Sequence, residues 1–257
     1  MTEIRPVRDH DEAERFLDVL CGVFGLDTDR ARDVFFGEPM FDLDRKWALF
    51  EGREIVSILT TTPLEFGWGR ATGIAGVCTD PDRQREGHAG RLIERVLRES
   101  ERANEGPALL FAQRLELYER HGFEPIDRVL RAPMNLRLEE RLDILEWKET
   151  RSIYDAWAAA DPARLRRDDQ RWRYWEWHYR TPRRVGEGYV VEENGLLREG
   201  LWHRAETALP LPPETEWLGL TATADMLGLR FDRAVEESIL MGHNFPGIPV
   251  MFMTDQF

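Results

Sequence analysis

The residues whose types and spacing could do chemistry are concentrated between Gly76 and Gly90, GVCTDPDRQREGHAG. The segment reads as a strand running into a glycine turn that opens an amphipathic helix. The first turn of a helix leaves backbone N–H groups without intrahelical partners, which makes it a natural place to hold a phosphate. Side chains there would keep a diphosphate away, and Gly87 and Ala89 supply the clearance. Ala89, Leu92, Ile93, Val96 and Leu97 follow at helical spacing, so one face docks on a sheet while the N-terminus points at ligand. The spacing predicts an anchored anion site.

A second motif lies downstream. Gln84-Arg85-Glu86-Gly87-His88-Ala89 fits Q/R-x-x-G-x-G/A, and Leu117-Tyr118-Glu119-Arg120-His121-Gly122-Phe123 fits Φ-Y-x-x-x-G-F, with the apolar run Ala108–Ala112 between them suited to a buried central strand. In this order the two motifs resemble those of the GNAT superfamily of acetyl-CoA-dependent N-acetyltransferases. The tandem organisation of the chain, Ile153-Tyr154-Asp155-Ala156-Trp157 with Leu165-Arg166-Arg167-Asp168, and the final phenylalanine resemble the Eis-like branch, the enhanced-intracellular-survival acetyltransferases. Members of that branch usually carry a third, sterol-carrier-like domain, for which this sequence is too short.

The resemblance implies direct transfer of acetyl from the CoA thioester to an amine held between two splayed parallel strands. It places strand contacts to acetyl-CoA at Val77, Cys78 and Thr79, pyrophosphate contacts at Arg85, Glu86, Gly87, His88, Ala89 and Gly90, and further contacts near Gln113 and Arg114, mostly through backbone amides. It puts a general acid at Tyr118, a residue that stays protonated at neutral pH and can donate to the departing thiolate. In the Eis-like branch the chain's own terminal carboxylate serves as base, here that of Phe257. Core packing of Tyr118, a surface terminus at Phe257, and solvent or another carboxylate as base stay open. Glu86 is unusual beside a phosphate site, because its carboxylate repels phosphate unless it points away. His88 and His121 read as solvated. Cys78 reads as a small strand residue, with a ping-pong acyl-cysteine as the sharper alternative.

The elements that must position these residues follow from periodicity. Strands are predicted at Glu3–Arg8 and Ala71–Thr79, helices at Glu12–Phe24 and Arg30–Phe36, and a hairpin from Lys46–Glu51 and Glu54–Thr61 about Gly52-Arg53. The strand from Phe123 to Met134 closes a first domain of residues 1–135, the acetyl-CoA-binding unit. Residues 136–257 read as a degenerate GNAT-like domain that shapes the acceptor site. It has helices at Arg151–Ala160, Arg171–Tyr179 and Ala222–Arg233 and a hairpin about Glu193-Asn194-Gly195. A strand at Glu216–Thr221 and a closing hairpin of Glu237–Gly242 with Pro249–Phe257 complete it. The fold class is α/β (α+β): tandem GNAT folds, each a mixed, mostly antiparallel twisted sheet flanked by helices.

The sequence has 257 residues, long enough for two domains with their own cores, and no apolar run long enough to span a membrane. A signal peptide is not evident, and Cys21 and Cys78 do not suggest a disulfide framework, so a cytoplasmic location is expected. A net charge of −13 favours cationic substrates and argues against nucleic acid. Walker A, H-E-x-x-H and G-x-S-x-G motifs are missing, so the expectation is acetyl-CoA as acyl donor, an amine acceptor and no metal. Self-association is left open. Trp172, Trp175 and Tyr179 share a helical face, either as core or as an aromatic wall for a cationic amine. Two other classes compete: a non-catalytic acyl-CoA sensor or assembly subunit, and a nucleic-acid module built on the arginines of 164–184.

Overall fold

A computed structural model describes residues 2–141, 143–178, 181–203 and 208–257. The first part of the chain runs β1 (Thr2–Pro6), α1 (His10–Phe24), α2 (Thr28–Gly37), β2 (Lys46–Glu51), β3 (Glu54–Phe66), β4 (Gly69–Thr79), α3 (His88–Arg102), β5 (Ala108–Ala112), α4 (Glu116–Glu119) and β6 (Phe123–Pro133). The second runs β7 (Arg137–Leu138), α5 (Trp147–Ala159), β8 (Leu165–Arg166), α6 (Asp169–His178), β9 (Arg183–Val185) and β10 (Gly188–Glu193). It continues through β11 (Leu196–Leu201), β12 (Ala208–Leu209), β13 (Glu216–Leu220) and α7 (Thr221–Leu227) to β14 (Val235–His243). Tyr179 lies outside the described residues, so the helical face drawn through it rests on Trp172 and Trp175 alone.

Twelve strands form one mixed, mostly antiparallel sheet in the order β1-β2-β3-β4-β5-β14-β6-β13-β11-β10-β9, with β8 beside β3. Among the described residues, only β4 with β5 and β11 with β13 are parallel strand pairs within it. α1 and α2 cover one face of the first part, burying Phe16, Leu17 and Phe35 against Ala48, Ile58 and Cys78. α3 covers the other with Leu92, Ile93 and Val96 on Leu59, Ile74 and Leu110. α1 starts where the Asp9 carboxylate accepts from the backbone of Glu12 at 2.8 Å.

The last strand of each part crosses into the other. β14 lies between β5 and β6, pairing Met241 with Leu110 on one side and with Pro125 on the other. β6 in turn lies between β14 and β13. Two expectations change here. Pro249–Phe257 is not a strand beside β14, because β5 and β6 already use both of that strand's edges. The segment instead turns toward α5 and α6: Val250 donates to Ala163 at 2.9 Å and accepts from Leu165 at 3.1 Å. The helix predicted over 222–233 stops at Leu227, where Gly228 takes a left-handed φ of 75° and Leu229 donates back to Ala224 at 2.9 Å.

One face of the arginine–tryptophan run is interior. Trp172 and Trp175 are core, and Arg171 is buried with its Nη2 on the Pro63 carbonyl at 2.8 Å. The segment therefore presents no stacking platform at these positions.

The exchange of β6 and β14 makes each part depend on the other. A chain truncated after residue 135 lacks β14 and leaves the β5 edge and Leu110 open, so it is expected to show no cooperative thermal transition by circular dichroism, whereas the full chain does. A sharp transition in the fragment would contradict the exchange.

Candidate active site

The site begins where two parallel strands part. β4 and β5 pair at Thr72 with Ala108, Gly73 with Leu109 and Ile74 with Leu110, and no further. Beyond Leu110, β5 follows β14 instead. On its other edge β4 stays with β3, but Ala75 faces Thr60 while Cys78 faces Ile58, so β4 carries one extra residue between them. Gly76, at φ 59°, sits in this bulge. The extra residue puts Ile74 and Val77 on the same α3-facing cluster despite their odd spacing, and bends β4 away from β5. The result is a gap in the β4–β5 pairing, edged by backbone at 75–79, the region assigned from sequence to Val77, Cys78 and Thr79.

The β4–α3 loop closes one end of the gap. Arg85 and Gly87 take left-handed φ values of 68° and 80°, and α3 starts at His88 with no side chain capping its first N–H groups. The first backbone bond back to the loop is Arg91 to the Gly87 carbonyl at 3.1 Å, which leaves the N–H groups of His88, Ala89 and Gly90 ahead of it. Glu86 points away from this cradle. Its carboxylate meets Arg83 at 3.2 Å and His88 Nε2 at 3.0 Å, and Arg83 also reaches Glu51 at 2.7 Å. Hydrogen bonds from Arg83 and then His88 hold the Glu86 carboxyl below its ordinary range. Arg83, shared with Glu51, offsets part of the repulsion expected from sequence.

The two motif histidines differ from expectation. His88 is 4% exposed and His121 is largely covered, its ring against Gly90 and its Nδ1 3.5 Å from Glu94. Packing of α4 and the loop onto α3 removes them from solvent, and burial pushes the His121 ring below its usual pKa. Gln113 and Arg114 are exposed just past β5, with Gln113 Nε2 3.5 Å from the Glu237 carbonyl.

Tyr118, on α4, is half-buried, with its ring edge-on to Phe123 at 6.2 Å. Burial, with a smaller contribution from Cys78, raises its pKa, so the hydroxyl holds its proton at neutral pH. Cys78 is buried under α1, and that burial pushes its thiol up to about 12. A thiol so placed is a weak nucleophile at neutral pH, which counts against the acyl-cysteine alternative.

On the opposite face lies a cavity of about 240 Å³ whose walls come from both parts of the chain. Glu38, Lys46, Thr60 and Thr62 face Tyr174, Gln256 and Phe257 across it. Gln170, from α6, closes the rim by donating to the Pro39 carbonyl at 3.1 Å. Lys46 is 4% exposed, lies 4.8 Å over the Phe35 ring and meets Glu38 at 3.5 Å. Burial pushes the Lys46 amine down and the Glu38 carboxyl up. Burial, and then Glu38, pushes Tyr174 up to about 12. Phe257 reaches β4 and β5 from this side: its ring lies on Gly73, where a Cβ would come within 2.6 Å of it, and is 5.4 Å from the Phe111 ring. Gly73 is thus required by close approach.

Sequence reasoning missed Glu38, Lys46, Tyr174 and Gly73. Lys46 alone carried a signal, as one of only two lysines among 35 basic residues in the sequence.

Residues 3–126 match the family model described as an acetyltransferase (GNAT) domain, a range that contains both motifs. No curated protein matches the sequence. Among solved structures, the chain is similar to a Pyrococcus horikoshii protein at 14% identity and TM-score 0.67, covering 98% of this chain and 93% of that one. It is also similar to a GCN5-related N-acetyltransferase from Kribbella flavida at 17% identity and TM-score 0.66, covering 94% and 71%. Eis1 from Mycobacterium abscessus follows at 18% identity and TM-score 0.63, covering 93% and 73%. At these identities the likeness is one of fold, and it spans both parts of the chain.

The Cys78 environment has a direct consequence. Alkylation of Cys78 by iodoacetamide, followed by peptide mass mapping, is expected to be slow and to climb about tenfold per pH unit from about pH 7 to 10 without levelling off, whereas an ordinary thiol levels off within that range. A rise with a midpoint near an ordinary thiol pKa would contradict the burial.

Proposed function

We propose that the protein transfers the acetyl group of acetyl-CoA directly to a primary amine, on a small cationic molecule or an exposed lysine. Residues 1–135 bind acetyl-CoA, and residues 136–257 shape the acceptor site, as in the tandem Eis-like branch. The observation that carries this reading is the divergence of β4 from β5 beside the uncapped start of α3, with a protonated tyrosine on the closing helix. The GNAT domain match over 3–126 supports acetyl transfer by this region.

In this reading the N–H groups at 87–90 hold the pyrophosphate and the free β4 edge at Val77–Thr79 aligns the pantetheine arm. Thr79 is braced for this by Ser57, whose hydroxyl lies 2.9 Å from its Oγ1. The acceptor amine enters from the cavity and attacks the thioester carbonyl, forming a C–N bond. A backbone N–H at the bulge stabilises the developing oxyanion. Collapse breaks the C–S bond, and Tyr118 gives its proton to the leaving thiolate. The α-carboxylate of Phe257 accepts the proton that the ammonium must lose. The net charge of −13 favours a cationic acceptor.

Thiol release from acetyl-CoA across a panel of polyamines, amino sugars and lysine peptides tests this. At least one amine is expected to drive release, and Tyr118→Phe to lower kcat about 10²-fold or more with acetyl-CoA affinity unchanged. Acetyl-CoA binding with no release on any amine would overturn catalysis in favour of a sensor.

A further inference from the structure

A fully bonded ion cluster is buried behind the cavity, between α6, β10, β11 and the last residues of the sequence. Arg167, just after β8, bonds Asp255 through Nε to Oδ1 at 2.8 Å and through Nη2 to Oδ2 at 2.7 Å. The same guanidinium bonds Glu199 through Nη1 at 3.1 Å and Nη2 at 2.6 Å, and donates to Thr254 Oγ1 at 3.0 Å. Glu199 also accepts from the hydroxyls of Tyr189 and Thr254 and from Trp175 Nε1. The Tyr154 ring stacks 3.8 Å from the guanidinium carbon, while its hydroxyl donates to the Leu165 carbonyl at 2.8 Å. All three charged side chains are 0–1% exposed.

Desolvating an arginine and two carboxylates is unfavourable, and apolar residues of similar volume often stabilise a core better. What the cluster adds is position. Arg167 follows the strand that pairs with Phe66 of β3, so its guanidinium is referenced to the first part of the chain. Its bidentate partner, Asp255, is two residues from Phe257. Among the described residues, the backbone past Asp255 makes one long bond, Gln256 N to the Met253 carbonyl at 3.4 Å. Gln256 and Phe257 nevertheless line the acceptor cavity, and the Phe257 ring sits on Gly73.

We propose that Asp255, gripped by Arg167, is a positioning residue that seats Gln256 and Phe257 in the acceptor cavity against β4. Its effect on turnover rests on the acetyl-transfer reading above; the seating itself does not. Loss of the grip releases the tail, displaces the Phe257 carboxylate and opens the cavity, without altering the cradle at α3.

The test uses the 257-residue chain and its Asp255→Asn variant. Release of Phe257 by carboxypeptidase A reports tail seating without catalysis. It is expected to accelerate about tenfold or more in the variant, since cleavage tracks the open population. Acetyl-CoA affinity is expected to stay unchanged, while kcat/KM for the amine falls about tenfold to hundredfold through misplacement. Thr254→Val, which removes the hydroxyl link but keeps every charge, is read the same way should Asp255→Asn fail to fold. Tyr189→Phe loosens the cluster on the side away from the tail and is expected to leave release unchanged. Unchanged release in folded Asp255→Asn or Thr254→Val would overturn the proposal, as would equal acceleration in Tyr189→Phe. Faster release with undiminished kcat/KM would overturn its link to turnover. A protein that turns over no amine defeats the acetyl-transfer reading and leaves the release result standing.

Discussion

The structure depends on one constraint: two parallel strands that cannot remain paired. Gly76 adds a residue to β4 opposite β3, and the bulge turns β4 away from β5 after Ile74. Backbone groups that would have been spent on a ladder are then left along an open edge. The gap persists because each strand is held on its far side, β4 by β3 and β5 by β14. A gap edged by fixed peptide dipoles binds a polar ligand with little reorganisation, which is the physical basis of electrostatic preorganisation.

The exchange of final strands follows from the same geometry. β5 needs a partner on its far edge, and β14 supplies it from the second part of the chain, while β6 serves β13 in return. Once β14 is fixed, the residues after it cannot pair beside it. They run along the segment at 163–165 to the Arg167 cluster and end on Gly73. The cavity is consequently made of the segment at 38–45 with β2 and β3 on one wall and α6 with the tail on the other, so neither part of the chain encloses it alone.

Much of this was legible locally. The central strand at Ala108–Ala112, the hairpin at Lys46–Glu51 with Glu54, and the loop at Gly87 announce themselves through apolar continuity, turn residues and small residues before an amphipathic run. The missed features are long-range. No periodicity within Val235–His243 says that both its edges are taken by strands more than a hundred residues earlier, and the tail at Pro249–Phe257 reads as a hairpin arm without that knowledge. Arg164, Arg166 and Arg167 read alike in sequence, yet only Arg167 meets two carboxylates, from positions 199 and 255, that make its burial tolerable. His88 and His121 read as solvated because a motif specifies backbone and not what packs over the intervening side chains. Lys46 was visible as a rare lysine, but its depressed amine depends on burial beside Phe35, which outweighs the opposing effect of Glu38.

The central claim is that acetyl-CoA is held by backbone amides on the open edge of β4 and at the start of α3. Amide hydrogen exchange with and without saturating acetyl-CoA measures those groups directly. Slowed exchange confined to residues 75–79 and 87–91 is the predicted result. Binding that leaves both segments unprotected, or that protects a different surface, would contradict the account.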